Sequence, residues 1–322
     1  MKISAAPNVL WALGAIYGVL VLGTLIAWVL PFVNSGKDYT ELKLRIRTWW
    51  IMISLFSSAV VIGGGWAIGF FGFISFLAFK EYLSLIPTRQ ADHRVLFWAY
   101  LAIPLQYYWI SQSWYGIFVV FIPVFLLLLL PMRMVIIGET EGFLRAAGTI
   151  HWGLMTTVFG LSHLAYLMIL PASGNPVAGG AGLLIFLVML TEGNDVAQYT
   201  SGKIFGKHKV IPKVSPNKTW EGLIGGIVAT TGFAYLLAPF LTPFTPRESL
   251  VVGLLLGVSG FIGDVVVSAI KRDLGIKDSG SLLPGHGGIL DRMDSLTYTA
   301  PLFFHFVNYH HFGTEILSRM AG

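Results

Sequence analysis

Cysteine is absent from the 322-residue sequence, so the protein forms no disulfide bond and has no thiolate ligand for a metal. Charged side chains are also scarce. They make up only 11% of the residues, whereas soluble domains carry roughly 25%. Hydrophobic residues reach 55% of the chain, and the mean hydropathy is +0.73. This composition excludes an ordinary soluble domain and indicates that lipid surrounds most of the chain.

Long apolar runs without alternation predict helices that cross a membrane, and they disfavour the strands of a barrel. We therefore expect an all-α polytopic membrane protein with about nine or ten spans. Their approximate limits are residues 9–33, 49–62, 66–85, 95–110, 114–130, 149–170, 178–199, 223–241, 250–270 and 296–312. The segment GGGW at 63–66 leaves two possibilities open, namely one long tilted helix or two shorter helices that meet at a glycine turn.

Basic residues are grouped in every second loop between the predicted spans. The five groups are Lys37, Lys43, Arg45 and Arg47; Arg89 and Arg94; Arg133 and Arg145; Lys203, Lys207, Lys209, Lys213 and Lys218; and Lys271, Arg272, Lys277 and Arg292. Because cytoplasmic loops are enriched in Lys and Arg, all five are expected in the cytoplasm, with the N-terminus outside. Orientation and attraction to anionic lipid headgroups account for the sign of these charges, and we expect no nucleic-acid partner.

The first unusually polar region spans residues 191–222. Glu192, Asn194 and Asp195 fall inside a predicted span, where carboxylates are costly and are functional-site candidates by default. The alternative is that Asp195 lies at the membrane edge and pairs with a lysine of the following loop.

The segment SPNKT at 215–219 resembles a helix start. Ser215 or Asn217 is the expected cap, and Glu221 falls in the first turn. A helix N-terminus beside Lys218 also suits a phosphate group. Capping and phosphate binding are compatible, so both interpretations stay open.

The second polar region, residues 263–295, contains three aspartates near the ends of two predicted helices. Asp264 lies in the last turns of an apolar helix, and Lys271 follows it two turns later. Asp291 and Asp294 are three positions apart and share a face of a helix. Three carboxylates from two helices are a plausible cage for Mg²⁺, which takes one or two carboxylates and completes its shell with water and phosphates.

Glycines and basic residues surround these aspartates. The segment GHGG, with His286, Gly287 and Gly288, offers free N–H groups and close backbone approach to a phosphate chain. The basic residues that could neutralise phosphate oxygens are Lys271, Arg272, Lys277 and Arg292. Together these groups indicate phosphoryl or nucleotidyl transfer. A plain solvated helix start would explain DRMD alone, but it leaves Asp264, His286 and the glycines unexplained.

The sequence SAIKRDLGIKDSGSLLPGHGGILDRMD, residues 268–294, resembles the signature of the phosphatidate cytidylyltransferase (CDP-diacylglycerol synthase) family. That signature reads Ser, any residue, an aliphatic, Lys-Arg, four residues, Lys-Asp, and later His-Gly-Gly, any two, Asp-Arg, any, Asp. The segments NDVAQYTSGKIFGKHK and SPNKTWEG are similar to a second block of the family. The resemblance covers roughly the C-terminal 130 residues, so residues 148–322 are expected to form the catalytic region and 1–147 the N-terminal helices.

The resemblance implies a reaction of CTP with phosphatidate that yields CDP-diacylglycerol and pyrophosphate. It implies that Asp264, Asp291 and Asp294 hold Mg²⁺, with a second cation such as K⁺. Catalytic or phosphate-binding roles follow for Lys271, Arg272, Asn194, Asp195, Ser215, Lys218, Lys277, His286, Gly287, Gly288 and Arg292. The family also implies a homodimer, and in a bacterial-type inner membrane the site faces the cytoplasm.

One position departs from the family. Many relatives have Glu where this chain has Val267, which removes one carboxylate near the expected metal. Two alternatives to phosphatidate cytidylyl transfer remain at this stage. The first is a CTP-dependent transferase for another lipid, such as an isoprenoid alcohol or an archaeol phosphate. The second is an ion-coupled transporter that uses Asp195 and Asp264 as intramembrane ligands.

Overall fold

The computed structural model describes residues 5–34, 36, 38–87 and 93–313. Lys37 and Arg89, two of the basic loop residues, lie outside the described residues. Helices account for most of the described chain, and two isolated antiparallel bridges are its only β-type pairings. The architecture is therefore all-α, as the apolar runs predict.

The helices follow the order of the predicted spans. They are α1 (Pro7–Val33), α2 (Thr40–Ile62), α3 (Gly64–Leu85), α4 (His93–Ser111), α5 (Tyr115–Val120), α6 (Leu127–Ile137), α7 (Phe143–Gly153), α8 (Leu161–Ile169), α9 (Gly179–Phe205), α10 (Trp220–Leu241), α11 (Pro246–Asp273), α12 (Leu290–Met293) and α13 (Leu296–Val307). Wider turns at Phe121–Leu126, Leu154–Gly160 and Asn308–Phe312 continue α5 into α6, α7 into α8, and α13 beyond Val307.

Eight helical segments of the described chain are long and apolar enough to cross a membrane. They are α1, α2, α3, Tyr115–Ile137, Phe143–Ile169, α9, α10 and α11. The two remaining predicted spans also form helices, α4 and α13, although neither belongs to this set of eight. The protein is an integral membrane protein, and each apolar run of the sequence corresponds to one helical segment.

A glycine turn separates α2 from α3. Gly63 has a φ of 65°, in the left-handed region that only glycine adopts at low cost, and its N–H donates to the carbonyl oxygen of Ala59. The segment GGGW thus joins two helices that meet at a turn. It does not continue one long helix.

Helix α9 lies near the centre of the C-terminal half and contacts α8, α10, α11 and α13. Small residues let these helices approach closely, as is common between helices in lipid. A Cβ on Gly257 would lie 3.0 Å from the Cα of Ile227 on α10, and a Cβ on Gly263 would lie 2.6 Å from the carbonyl oxygen of Asp294. These close approaches bring polar residues of α9, α11 and the α12–α13 segment to one place.

Candidate active site

The loop between α9 and α10 places Lys218 beside the end of α11. Two backbone hydrogen bonds close this loop: the N–H of Val210 donates to Lys218 and that of Trp220 donates to His208. Thr219 then caps α10, because its hydroxyl oxygen accepts the N–H of Gly222 at 3.1 Å. The prediction of Ser215 or Asn217 as the cap is therefore wrong, and the helix begins later than SPNKT suggested.

Lys218 forms an ion pair with Asp264 of α11. Its Nζ lies 2.6 Å from Oδ2 of Asp264 and donates to Oε1 of Gln198 on α9 at 3.0 Å. Oδ1 of Asp264 accepts the hydroxyl of Ser268, one turn further along α11, at 3.2 Å. The side chains of Lys218 and Asp264 are only 18% and 24% exposed, so water screens this pair weakly.

A second lysine–aspartate pair links α11 to α12. Nζ of Lys271 lies 2.8 Å from Oδ1 of Asp291, while Oδ2 accepts the N–H groups of Ser279 at 2.8 Å and Gly288 at 3.1 Å. Burial favours the neutral acid, but the Lys271 ammonium and the two N–H donors outweigh it and keep the pKa of Asp291 below its ordinary value. Asp291 is therefore a hydrogen-bonded anion that holds the preceding loop.

Asp294 lies next to the other carboxylates of the site. Burial, followed by the negative charges of Asp264 and Asp195, raises the pKa of Asp294 above its ordinary value. Oγ of Ser295 is 3.0 Å from Oδ2 of Asp195 and 3.2 Å from the carbonyl oxygen of Gly260, so it joins α9 and α11 at this point. Four acidic groups from three helical elements thus share a largely buried region, namely Glu192 and Asp195 of α9, Asp264 of α11 and Asp294 after α12.

Carboxylates of this kind are the ligands that a hard divalent cation prefers. In the described part of the chain, no three His, Asp or Glu side chains form a ready-made metal cage. Mg²⁺, however, commonly uses one or two carboxylates and takes its other ligands from water and substrate phosphates. Asp264 and Asp294 match that ligand set, since a cation would relieve the repulsion between them. Asp291 could join only if Lys271 released its Oδ1.

The loop 279–290 turns tightly before Asp291. Gly287 has a φ of 81°, and a Cβ there would lie 2.6 Å from Oδ2 of Asp291. Helix α2 supports the loop, because Thr48 donates its hydroxyl to the carbonyl oxygen of Pro284 at 2.8 Å. The ring of Trp49 meets that of His286 edge to face, and burial lowers the pKa of the imidazole. The glycines of GHGG therefore allow the loop to close around Asp291.

Two predicted site residues form hydrogen bonds that join helices and loops of the protein to one another. Asn194 is fully buried, donates to the carbonyl oxygen of Gly257 at 3.3 Å and accepts from Thr230 at 3.1 Å. The guanidinium of Arg272 donates to the carbonyl oxygens of Val214 at 3.2 Å and Ile276 at 3.3 Å. Asn194 thus joins α9 to α10 and α11, and Arg272 joins the two polar loops.

Three further predicted residues differ in exposure. Lys277 is exposed in the loop after α11. Ser215 is half-buried, and its carbonyl oxygen accepts the N–H of Lys218 at 3.2 Å. Nε of Arg292 is buried without a hydrogen-bond partner in the described part of the chain, and the charge of Arg292 acts on the carboxylate of Glu192 on α9. Val267, the position at which the sequence departs from the expected family pattern, is 2% exposed and belongs to the apolar core.

Glu81 of α3 is a contact of the site that the sequence motifs missed. Its carboxylate accepts the N–H groups of Ile289 at 2.9 Å and Leu290 at 3.0 Å, and also the hydroxyl of Ser279. Glu81 lies in an apolar helix some 200 positions earlier, outside every motif. A carboxylate near the end of a membrane-spanning helix was the only signal in the sequence that could have indicated it.

Paired lysines and aspartates, a glycine loop and an arginine with a buried Nε lie together in this membrane protein. Groups of these kinds are typical of proteins that handle phosphate groups. Residues 43–310 match the Cytidylyltransferase family, and the chain belongs to that family. Membership makes it a membrane-embedded nucleotidyltransferase, as the motif at 268–294 predicts.

Individual relatives divide into two groups. "Uncharacterized protein YnbB" of Escherichia coli (strain K12) is 48% identical over 303 residues, which cover 92% of this chain and 98% of that protein. "Phosphatidate cytidylyltransferase" of Mycobacterium leprae is 46% identical over 121 residues, 38% of this chain and 39% of that protein. The protein of the same name from Haemophilus influenzae is 41% identical over 132 residues, 39% of this chain and 46% of that protein. The chain thus matches less than half of the length of each of these two named enzymes.

Proposed function

We propose that this protein transfers the cytidylyl group of CTP to phosphatidate, giving CDP-diacylglycerol and pyrophosphate. The observation that carries the proposal is the convergence of Lys218–Asp264 and Lys271–Asp291 beside Asp294. The ammonium groups of these two lysines are paired with carboxylates in the structure, and they can form ion pairs with the phosphate oxygens of a substrate. The family match over residues 43–310 includes these groups, and the relatives named phosphatidate cytidylyltransferase match 38% and 39% of the chain.

In the proposed reaction, a phosphate oxygen of phosphatidate attacks the α-phosphorus of CTP. A new P–O bond forms, the bond to the β-phosphate oxygen breaks, and pyrophosphate leaves with that electron pair. Asp264 and Asp294 would hold Mg²⁺, which supplies charge neutralisation at the phosphates when bound. Lys218, Lys271 and Arg292 orient the phosphate oxygens and stabilise the charge that develops on the leaving pyrophosphate. A second cation such as K⁺ remains part of the proposal.

The test is a reaction of purified protein in detergent with radiolabelled CTP, phosphatidate and Mg²⁺. We expect CDP-diacylglycerol and pyrophosphate in equal amounts, and no product in excess EDTA. Parallel reactions with an isoprenoid alcohol and an archaeol phosphate compare other lipid acceptors. Product from one of these, but not from phosphatidate, would replace the proposed substrate. A folded protein that forms no cytidylylated lipid from any acceptor would refute the transferase proposal.

Matched aspartate variants connect the activity to the site. Asp264→Asn and Asp294→Asn keep side-chain volume but remove a carboxylate, so each is expected to abolish product formation. Asp273→Asn is the control, because Asp273 ends the same helix as Asp264 and is exposed. Equal loss of product in all three variants would contradict the proposed role of the Asp264–Asp294 pair.

We also propose that the site faces the cytoplasm of a bacterial cell and that the protein forms a homodimer. The lysine-rich loop that carries Lys218 supports the orientation through the positive-inside rule. Because the chain lacks cysteine, single cysteines can report sidedness directly. Lys213→Cys should be protected from an impermeant maleimide in intact cells, and Ala172→Cys should be labelled. Light scattering of the detergent-purified protein measures the proposed homodimer mass.

A further inference from the structure

Glu81 binds two separate points of the loop before Asp291. Oε1 accepts the N–H of Leu290 at 3.0 Å and the hydroxyl of Ser279, while Oε2 accepts the N–H of Ile289 at 2.9 Å. Glu81 lies on α3, and the loop lies about 200 positions later in the chain. One carboxylate therefore connects the N-terminal helices to both ends of the loop 279–290.

Glycines of the loop make this approach possible. A Cβ on Gly280 would lie 2.9 Å from Oε2 of Glu81, and a Cβ on Gly288 would overlap the same carboxylate. Gly288 is part of the GHGG segment that the sequence motifs assign to phosphate binding. In the structure, the Glu81 carboxylate occupies the space that a side chain at position 288 would need, so glycine at this position also allows Glu81 to bind the loop.

Two carboxylates share the donors of this loop between them. Asp291 accepts the N–H groups of Ser279 and Gly288, and Glu81 accepts those of the next two residues, Ile289 and Leu290. The three consecutive N–H groups at 288–290 lie just before and at the start of α12, where backbone donors lack partners within a helix. The same Asp291 side chain contacts Lys271 through Oδ1 and the loop through Oδ2, so the loop and α11 are joined through one carboxylate.

We propose that Glu81 is a positioning residue that holds the loop 279–290 so that Asp291 contacts Lys271 and Asp294 lies near Asp264. It acts through the loop and does not touch the substrate. The expected effect of Glu81 on kcat rests on the proposed cytidylyltransferase activity. The stabilisation of the loop by Glu81 does not depend on that activity. The inference assigns a role at the site to an N-terminal helix that contains none of the family motifs.

Glu81→Gln tests this role with little change in size. The amide keeps one acceptor oxygen but presents an NH₂ group to an N–H donor, so at least one hydrogen bond is lost. We expect kcat to fall about 10- to 100-fold, with little change in the KM for CTP, since misplacement of catalytic groups acts mainly on the chemical step. Hydrogen–deuterium exchange should become faster in peptides covering 279–290 and stay unchanged in α10.

Tyr82→Phe is the matched control on the same helix. Tyr82 is buried and donates its hydroxyl to the carbonyl oxygen of Thr149 at 3.0 Å, away from the loop. Its removal deletes one buried hydrogen bond of α3, so kcat and exchange of the loop should match wild type. Equal loss of kcat in Tyr82→Phe and Glu81→Gln would show a general effect on the stability of α3 and would overturn the proposal.

Ser279→Ala keeps the test informative if Glu81→Gln does not fold. It removes one donor to Glu81 from the loop side and leaves α3 intact, so a smaller loss of kcat and faster loop exchange are expected. Wild-type kcat and exchange in the folded variants would overturn the proposal and leave the proposed function standing. The two proposals can also fail separately. Faster exchange of the loop in Glu81→Gln would support the role of Glu81 in holding the loop, even if the wild type formed no lipid product and the proposed function were refuted.

Discussion

Lys271 and Asp291 lie 20 positions apart in the sequence, yet Nζ of the lysine is 2.8 Å from Oδ1 of the aspartate. Their side chains are only 14% and 7% exposed, and the contact joins the end of α11 to α12. Removing one partner of such a shielded pair leaves the other charge uncompensated. The pair therefore offers a direct measure of how firmly the two parts of the site are joined.

A double-mutant cycle with Lys271→Gln and Asp291→Asn should give a coupling energy of about 1–3 kcal/mol in chemical unfolding in detergent. The control is the cycle for Glu41 and Arg45, an ion pair one turn apart on α2 whose side chains are 71% and 53% exposed. Exposed pairs of this kind couple by about 0.3–0.5 kcal/mol. Similar coupling energies in the two cycles would contradict the special role of the shielded pair.

Lys218 occupies Oδ2 of Asp264, an oxygen that the proposed Mg²⁺ needs. Lys218→Gln should therefore lower the Mg²⁺ concentration needed for thermal stabilisation by about tenfold, because a competing cation is lost. The same variant should lose the proposed cytidylyl transfer, since Lys218 is also proposed to stabilise phosphate charge. Lys213→Gln, an exposed lysine in the same loop, should behave like wild type. Unchanged or weaker stabilisation by Mg²⁺ in Lys218→Gln would separate this lysine from the metal site.

Gly263 allows α11 to touch the segment that begins α13. A Cβ at this position would lie 2.6 Å from the carbonyl oxygen of Asp294 and 3.1 Å from the Cα of Ser295, both parts of a packed backbone. Gly263→Ala should destabilise the protein by about 1–3 kcal/mol and displace Asp294. Gly232→Ala on α10 meets nothing within 4 Å, so it should be neutral or slightly stabilising in the same unfolding assay. Equal stability of the two variants would show that α11 can move away at little cost.

Thr219 and Ser215 test where α10 begins. Thr219→Ala removes the hydrogen bond to the N–H of Gly222 and should cost about 1 kcal/mol of stability. It should also loosen the neighbouring Lys218. Ser215→Ala removes a hydroxyl that does not cap the helix, so its effect on thermal unfolding should be small. The reverse order of stabilities would restore the cap predicted from the sequence.

Substitution of Val267 tests whether the missing carboxylate at this position affects metal binding. Val267 is buried one turn after Asp264, so Val267→Glu would place another carboxylate in the core near the proposed metal. We expect this variant to be less stable without Mg²⁺, and to change its Mg²⁺ dependence more than its KM for phosphatidate. Val267→Gln, which has a similar size but no charge, is the control. A change confined to the KM for phosphatidate would place position 267 at the lipid substrate.

Much of the site could be predicted because its residues are grouped in the sequence. Asp264 and Asp294 both fall in the polar region 263–295, and carboxylates beside basic residues are typical of a metal–phosphate site. The cap of α10 could not be predicted in the same way, since Ser215, Asn217 and Thr219 are all good capping residues. The hydrogen bonds that close the loop at Lys218 and Trp220 select Thr219.

The sequence by itself determined the membrane class, the apolar helices and the family, because hydrophobic length and a local motif are properties of neighbouring residues. Only the tertiary structure decided which aspartate meets which lysine, and that Glu81 of α3 holds the loop before Asp291. Such pairings depend on how helices far apart in the chain approach one another. No periodicity or spacing along the sequence records that approach.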